Sequence, residues 1–392
     1  MARRARSQDR LRICLVTRDE PGATGTSRYA DRLAKGLRDR EFYVDELVTR
    51  PSGVVARVLQ LAGTPLHLDA ITFLSAYPPA LRWPSADLYH LTAHTFTSAL
   101  PLSRRRGPLV TTVHDIGRTM DPRPGGLRHR VHRAADRFAV GQLRRTTSLI
   151  AVSEWTKREL IDRLSVDAER VAVTYLGVDL AMYRPQQVPP AFMTRYGLRD
   201  DQRYVIYVGS DEPRKNLSNV WRALSAVRGR FPGVVLLKVG RGYDPAARDD
   251  LRRLAAQLGM REAIRYFDDV PENDLPLFYA ASELLVMPSL YEGFGLPALE
   301  AMASGLPVVV SDRAALPELV GRESGILVDP SDAAGLARAI IKLLDDRALA
   351  MRLGEQGRAR ARRFTWEAMV SKTIDVYRRA IDSDQRRWLT RA

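Results

Sequence analysis

Two carboxylates with seven residues between them carry the most specific chemical signal in this 392-residue chain: Glu292 and Glu300 in MPSLYEGFGLPALEAMASGLPVVVSD, residues 287–312. The segment reads as a buried strand, a glycine-bearing loop, a short helix and a second buried strand. Pro297 suits the first turn of that helix and Gly305 the position just past its end. Gly293 and Gly295 allow the backbone to approach a ligand closely, and a helix start offers N–H groups and a positive dipole end to an anion. The turn made by Gly293, Phe294, Gly295, Leu296 and Pro297 therefore reads as a diphosphate cradle. Glu292 stands before the loop and Glu300 about one turn into the helix, so both can face one ligand at different points. Ionised carboxylates are acceptors only, which matches the hydroxyls of a sugar or a ribose. The competing reading is a plain dinucleotide-fold glycine loop with two solvated glutamates. The joint spacing and filling are more specific than a lone glycine pattern.

A second polar pair, His114-Asp115, ends the apolar run LVTTVHD at 109–115. Open α/β sheets bind ligands beyond the carboxyl ends of their strands, where such a pair is placed to act. The elements that must position these residues follow from hydrophobic periodicity. Short apolar runs ICLVT (13–17), FYVDELV (42–48), DLYHL (87–91), LVTTVHD, SLIAVS (148–153) and VAVTYL (171–176) alternate with helical patterns, the first near 26–39. That alternation predicts βαβ units around a parallel sheet. After a proline-rich, polar stretch at 182–203, which reads as a linker, the pattern restarts with YVIYVGS (204–210), VVLLKVG (234–240), AIRYFDD (263–269), ELLVMPS (283–289) and PVVVSD (307–312). The expected fold class is α/β, with two Rossmann-like doubly wound domains at 1–185 and 186–365 facing across a cleft that holds the active site. Residues 366–392 are expected to form a helix that crosses back to the first domain through Trp366, Met369, Ile374, Val376, Tyr377, Ile381 and Trp388.

Composition bounds the functional classes. The chain is 45% hydrophobic and 27% charged, an ordinary globular balance. Its one cysteine, Cys14, lies within an apolar run, which excludes a disulfide framework and a zinc cluster. The first eighteen residues are charged around an apolar run too short for a signal peptide, and no stretch approaches the roughly 18 uncharged apolar residues of a membrane span. A cytoplasmic location is expected. The formal net charge is +15, and residues 1–180 carry 29 Lys/Arg against 19 Asp/Glu. RRRG at 104–107 and the basic helical pattern at 125–145, with Leu127, Val131, Ala134, Phe138 and Leu143 near one face, could dock peripherally on an anionic membrane's inner face. A core helix with a solvated basic back is the alternative. Without a recognition module, nucleic acid is not an expected partner.

The motifs taken together resemble those of retaining glycosyltransferases of family 4, which have the GT-B fold, and the resemblance covers nearly the whole chain. It is nearest in style to bacterial mannosyltransferases through EPRKN at 212–216. It implies that Glu292 contacts the donor sugar and Glu300 the ribose. VGSDEPRKNL at 208–217 is similar to the start of the family's second domain, which implies that Arg214 and Lys215 grip the donor diphosphate. Fixed cations there would stabilise a leaving diphosphate. Ser210 stands where the family often has arginine. GATGTSRYADRLAKGL at 22–37 resembles the family's glycine loop and following helix, implying diphosphate contacts from Gly25 and Thr26, with Thr24 at the place of the first paired glycine. The resemblance also places His114 near the donor sugar and the base against backbone around Val270. Loops at 50–84 and 116–126 are the expected acceptor side.

The implied activity is transfer of a hexose, mannose favoured and glucose or N-acetylglucosamine left open, from a GDP- or UDP-sugar to a glycan or lipid-linked acceptor, with retention. The acceptor hydroxyl attacks the face the leaving group departs from and loses its proton to the departing phosphate. Asp115 is the nearest candidate nucleophile if a covalent intermediate forms. A sugar-nucleotide epimerase or a glycan phosphorylase of related architecture is the competing class, and a basic nucleic-acid-binding protein a more distant one. No cofactor and no metal are expected, because the single Asp-x-Asp string, Asp382-Ser383-Asp384, lies in the tail. Transfer assayed in excess chelator should therefore keep most of its rate; complete loss restored by a divalent ion would refute metal independence.

Overall fold

The computed structural model describes residues 10–18, 25–49, 83–102, 105, 107–117, 127–242 and 245–389. They form two compact units. One takes the residues up to Leu176 together with those from Trp366 onward, and the other spans Gly177–Thr365. The division thus falls nine residues before the boundary expected at 185/186.

The first unit is built on strands β1 (Arg12–Arg18), β2 (Tyr43–Thr49), β3 (Leu88–Leu91), β4 (Leu109–Val113), β5 (Ser148–Ala151) and β6 (Val171–Val173). They lie in the order β2-β1-β3-β4-β5-β6, every neighbouring pair parallel. The central runs are buried throughout, as a parallel sheet covered by helices requires. Helix α1 (Gly25–Arg38) buries Tyr29, Ala30, Leu33, Ala34 and Leu37, an apolar stripe at three- and four-residue spacing. It packs closely on the C-terminal helix: a Cβ on Gly36 would meet Val370 Cγ2 at 2.5 Å.

That C-terminal helix, Trp366–Leu389, buries Trp366, Met369, Ile374, Val376 and Tyr377 within the first unit. The side chain of Trp388 lies outside the described residues. A polar chain crosses the helix–sheet boundary. His90 on β3 is fully buried, its Nδ1 2.6 Å from Tyr377 Oη and its Nε2 2.8 Å from Thr112 Oγ1. Thr112 Oγ1 is also 2.8 Å from Tyr29 Oη on α1.

The second unit carries β7 (Arg203–Val208), β8 (Val234–Val239), β9 (Ile264–Phe267), β10 (Leu284–Met287), β11 (Val308–Ser311) and β12 (Ile326–Val328). Their order is β12-β11-β10-β7-β8-β9, again parallel throughout. The sequence pattern did not reveal β12, whose three residues are too short for a period to show.

Two expectations are corrected. The stretch at 182–203 is no linker: it belongs to the second unit and contains a helix, Pro190–Arg195. Phe192 and Tyr196 stack against Phe278 at 5.1 and 4.7 Å between ring centres, and Tyr196 Oη donates to Asp274 Oδ2 at 2.5 Å. Aromatic anchors outweigh the prolines around them. In the basic helix Leu127–Gly141, Ala134 and Phe138 are exposed while Ala135, Ala139 and Val140 are buried. The apolar face is rotated by about one residue from the expected one, although Leu143, just beyond, is buried as expected. The side chains of Leu127 and Val131, Arg104 and Arg106 of the 104–107 cluster and most of the expected acceptor loops lie outside the described residues. Among the described residues no helix is long and apolar enough to cross a membrane.

Burial, and secondarily the neighbouring charge of His114, lowers the pKa of His90 from the ordinary 6.5 to about 3. The unfolded chain therefore binds a proton between those values that the folded chain does not. Stability from the neutral ring is complete above about pH 6.5 and declines as pH falls toward 3, by up to about 1.4 kcal/mol per pH unit. Urea unfolding followed from pH 7 to 4.5 should show this decline, and His90→Asn should flatten it; equal slopes in both proteins would contradict it.

Candidate active site

In the second sheet the strand order reverses between β7 and β10, so the loops leaving those two strands flank its topological switch point. The loop after β7 carries Asp211, Glu212, Arg214, Lys215 and Asn216; the loop after β10 carries Ser289 through Gly295. Hydrogen bonds join them. Leu290 N–H donates to Arg214 O at 2.7 Å, Asn216 Nδ2 to Pro288 O at 3.0 Å, Arg214 Nη1 to Tyr291 O at 3.1 Å, and Lys215 Nζ to Glu292 Oε1 at 2.7 Å. Asn216 reaches Pro288 from a left-handed backbone conformation with φ 60°, which asparagine tolerates better than most side chains.

Glu292 is 6% exposed and Lys215 9%. The Glu292 carboxylate is bracketed by two cations, Lys215 Nζ on one oxygen and Arg214 Nη1 at 3.5 Å from the other. Arg214 is itself turned by Glu212, whose Oε2 accepts from its Nε at 2.5 Å. Two cations against two carboxylates at one strand edge leave local charge near balance, so an added phosphate would have to compete for the cations. Sequence alone had assigned Arg214, Lys215 and Glu292 to one ligand but not to one another.

The cradle differs from expectation in its donors. Gly295 precedes the helix Leu296–Ala303 with φ 104° and ψ 48°, and a Cβ there would meet Leu316 Cδ2 at 2.7 Å. The glycine is demanded by packing against the following helix, Leu316–Val320, as much as by any ligand. Pro297 removes one N–H from the helix start, and the N–H of Ala298 is spent on Gly295 O at 3.0 Å. A phosphate held here would therefore rest on the backbone of Gly293, Phe294, Gly295 and Leu296. The Phe294 side chain turns into the core against Phe364, ring centres 6.0 Å apart, so only its backbone can serve. Gly305 takes the expected place after the helix: its N–H donates to Met302 O and that of Leu306 to Ala301 O, a Schellman closure.

Glu300, 1% exposed, accepts from Tyr279 Oη through Oε2 at 2.8 Å. Val270 follows β9, two strands away from β7 on the same carboxyl edge. Sequence reasoning missed several contributors here. Glu212 lay in plain sight beside Arg214, whereas Tyr279 and Asn216 carried no spacing signal. Ser289 Oγ is fully buried and finds no hydrogen-bond partner among the described residues, a costly state that a ligand could relieve.

In the first unit the order reverses between β1 and β3. Gly25 and Thr26 open α1, the element that follows β1. Thr24 lies outside the described residues. His114 directs Nε2 to the carbonyl of Thr92 at 2.9 Å, which fixes a proton on Nε2. Tyr29 packs edge-on to its ring at 5.0 Å. Asp115 Oδ1 accepts from Gly117 N–H at 3.1 Å, so its own loop orients the carboxylate. Among the described residues, no group of three or more His, Cys, Asp or Glu is placed to hold a metal ion.

Comparison with known proteins agrees with this architecture. The model of the "glycosyl transferases group 1" family matches residues 190–360, and that of "glycosyltransferase family 4" matches residues 23–182. The chain is 33% identical to the O-antigen chain mannosyltransferase B of Escherichia coli over 80% of each chain. It is 30% identical to a D-inositol 3-phosphate glycosyltransferase of Streptomyces bingchenggensis, over 97% of this chain and 91% of that one. Among solved structures, the sucrose-phosphate synthase of Thermosynechococcus elongatus superposes with a TM-score of 0.78 at 23% identity, covering 95% of this chain and all of that one.

Removing Lys215 while Glu292 stays would strand a buried carboxylate. Lys215→Met should cost about 3 kcal/mol or more in urea unfolding, and adding Glu292→Gln should recover much of it. Additive losses from the two substitutions would mean that the pair is not coupled.

Proposed function

Because the chain belongs to glycosyltransferase family 4 and has the GT-B fold, we propose that it transfers a hexose, mannose favoured, from a GDP- or UDP-sugar to a glycan or lipid-linked acceptor with retention of configuration. The observation that carries this reading is the Lys215–Glu292–Arg214 cluster beside the Gly293–Leu296 turn at the β7/β10 switch point. The similarity to an O-antigen mannosyltransferase supports the sugar and the acceptor class. The inositol phosphate glycosyltransferase relative keeps other donor sugars and a phosphate-bearing acceptor in view.

In the proposed reaction Arg214, Lys215 and the turn backbone hold the donor diphosphate. As the bond to the sugar breaks, negative charge grows on the departing phosphate, and cations already fixed in place stabilise it without reorganising. Glu292 then serves the sugar hydroxyls, Glu300 the ribose, and backbone near Val270 the base. Gly25 and Thr26 supply further diphosphate contacts. His114, with its proton fixed on Nε2, contacts the sugar. The acceptor hydroxyl attacks the face the phosphate leaves and passes its proton to that phosphate. The departing phosphate is thus the base, and neither a side-chain base nor a metal-held water is needed. Asp115 is the candidate nucleophile of the double-displacement variant. Peripheral attachment to an anionic membrane would place the enzyme beside a lipid-linked acceptor.

Thermal unfolding with GDP, UDP and ADP tests the donor site. A bound nucleotide at 100 times its Kd should stabilise the protein by about 2.7 kcal/mol, and Glu300→Ala should diminish the effect. With the donor sugar so identified, Glu292→Ala should lower kcat by about two orders of magnitude, and the product anomer should match the donor's. No stabilisation by any of the three nucleotides would overturn the reading. An inverted anomer would refute retention, turnover without acceptor would point to an epimerase, and a requirement for free phosphate to a phosphorylase.

A further inference from the structure

The two loops assigned to the ends of a nucleotide leave strands that are not neighbours. Arg214 and Lys215 follow β7, Val270 follows β9, and β8 lies between, so the two strands stand roughly 10 Å apart. Among the described residues the backbone ladder at this edge ends with Gly209 N–H on Val239 O at 2.9 Å and Gly240 N–H on Phe267 O at 2.8 Å. Beyond those bonds, side chains must hold the loops.

One side chain reaches both from outside the sheet. Arg248, on the helix Pro245–Gln257, donates through Nε to Asp211 Oδ2 and through Nη1 and Nη2 to the two oxygens of Asp268, at 3.2 and 2.8 Å. Asp211 stands three residues before Arg214, and Asp268 two before Val270. A guanidinium presents its donors in a rigid planar fork, so carboxylates on two of its edges are held in one relative placement. The fork has little room to turn: the Tyr266 ring lies 4.7 Å from it, and a Cβ on Gly242 would meet Nη2 at 3.1 Å. On the other oxygen of Asp211, Lys238 Nζ sits at 2.5 Å. The Arg241–Asp269 pair also links the loops after β8 and β9, but both side chains are exposed, and such pairs contribute little.

A nucleoside diphosphate joins base and diphosphate covalently, within a limited range of separations. Loops already standing at that separation need no ordering when the ligand arrives. Resting on the reading of Arg214, Lys215 and Val270 as donor contacts, we infer that Arg248 is a positioning residue for the nucleotide: its bridge from Asp211 to Asp268 holds the diphosphate loop and the base loop at the separation that a nucleoside diphosphate spans. The signature is selectivity. A ligand touching both loops loses affinity when the bridge is cut, and one touching only the diphosphate loop does not. A side chain that merely supports the fold would weaken both alike.

Calorimetric titration of the full chain with whichever of GDP, UDP and ADP binds, and displacement of that nucleotide by inorganic pyrophosphate, separate the two cases. The wild type should bind the nucleotide about tenfold or more tightly than pyrophosphate, the scale of a few base and ribose hydrogen bonds. Arg248→Met should raise the nucleotide Kd by about fivefold or more and leave that of pyrophosphate within about twofold. Asp268→Ala cuts the bridge at its half-exposed end, where the side chain is 47% exposed, and keeps the Arg248–Asp211 pair, so it carries the test even if Arg248→Met fails to fold. It should show the same selective loss, and the double variant no more than either alone. An unchanged nucleotide Kd, equal losses for both ligands, or losses that add across the two substitutions would overturn the bridge. A wild type that binds the nucleotide no more tightly than pyrophosphate would instead sink the base assignment at Val270. One that binds the nucleotide but no pyrophosphate would sink the diphosphate assignment of Arg214 and Lys215, and either result would take the bridge with it.

Discussion

The second unit is organised around one electrostatic constraint: the buried carboxylate of Glu292 must keep its two cations. Ion pairing at 2.7 Å to Lys215 and 3.5 Å to Arg214 compensates for the water the carboxylate has lost. Because the cations come from the loop after β7 and the carboxylate from the loop after β10, the pairing also fixes one loop against the other. Backbone bonds from Leu290 to Arg214 and side-chain bonds from Asn216 to Pro288 and Pro330 complete the clamp. An edge built this way is rigid before any ligand arrives, which is what the proposed electrostatic stabilisation of a leaving group requires.

A second buried charge network anchors the root of the same loop. Asp211, fully enclosed, is paired with Lys238 Nζ at 2.5 Å and with the Arg248 guanidinium. Arg248 also binds both oxygens of Asp268, at 2.8 and 3.2 Å, and lies over the Tyr266 ring. Lys238 sits on β8 and Arg248 on the helix Pro245–Gln257, so two neighbouring elements converge on the Asp211 carboxylate, and Arg248 ties them to Asp268 after β9. Burial pulls the Lys238 pKa down while Asp211 opposes it, and removing any one member would strand the others. Asp211 immediately precedes Glu212, which orients Arg214, so the network reaches the Arg214 guanidinium through two consecutive links.

The first unit solves the same problem with neutral groups. Its chain of His90, Thr112, Tyr29 and Tyr377 satisfies every donor and acceptor it buries without an ion pair, and it joins β3, β4, α1 and the C-terminal helix. Helix α1 is thereby held at the end of β1, where Gly25 and Thr26 stand, and its Tyr29 also packs against His114. The residues assigned to chemistry in this unit depend on a helix from the far end of the sequence. A truncation at the C-terminus would loosen them without touching them.

The sequence by itself determined the alternation of strands and helices, the two-domain α/β plan, and the Glu292–Glu300 motif with its flanking glycines, because buried strands and helix boundaries are written in local periodicity and local backbone chemistry. That Arg214 and Lys215 meet one ligand it suggested only through a resemblance, not through physics. What it withheld was every relation set by packing between distant segments. The prolines at 182–203 suggested a linker, but Phe192 and Tyr196 find partners some 80 residues away, which no local window contains. The basic helix was read one residue out of phase because small alanines, not the larger Phe138, face the core. Pro297 marked a helix start correctly, yet only the folded turn reveals that the N–H of Ala298 is already spent. The Lys215–Glu292 bond, the Tyr279–Glu300 bond and the place of the C-terminal helix in the first unit join residues 77, 21 and hundreds of positions apart. Such pairs are decided by which loops a sheet order brings together, and strand order is a property of the tertiary structure alone.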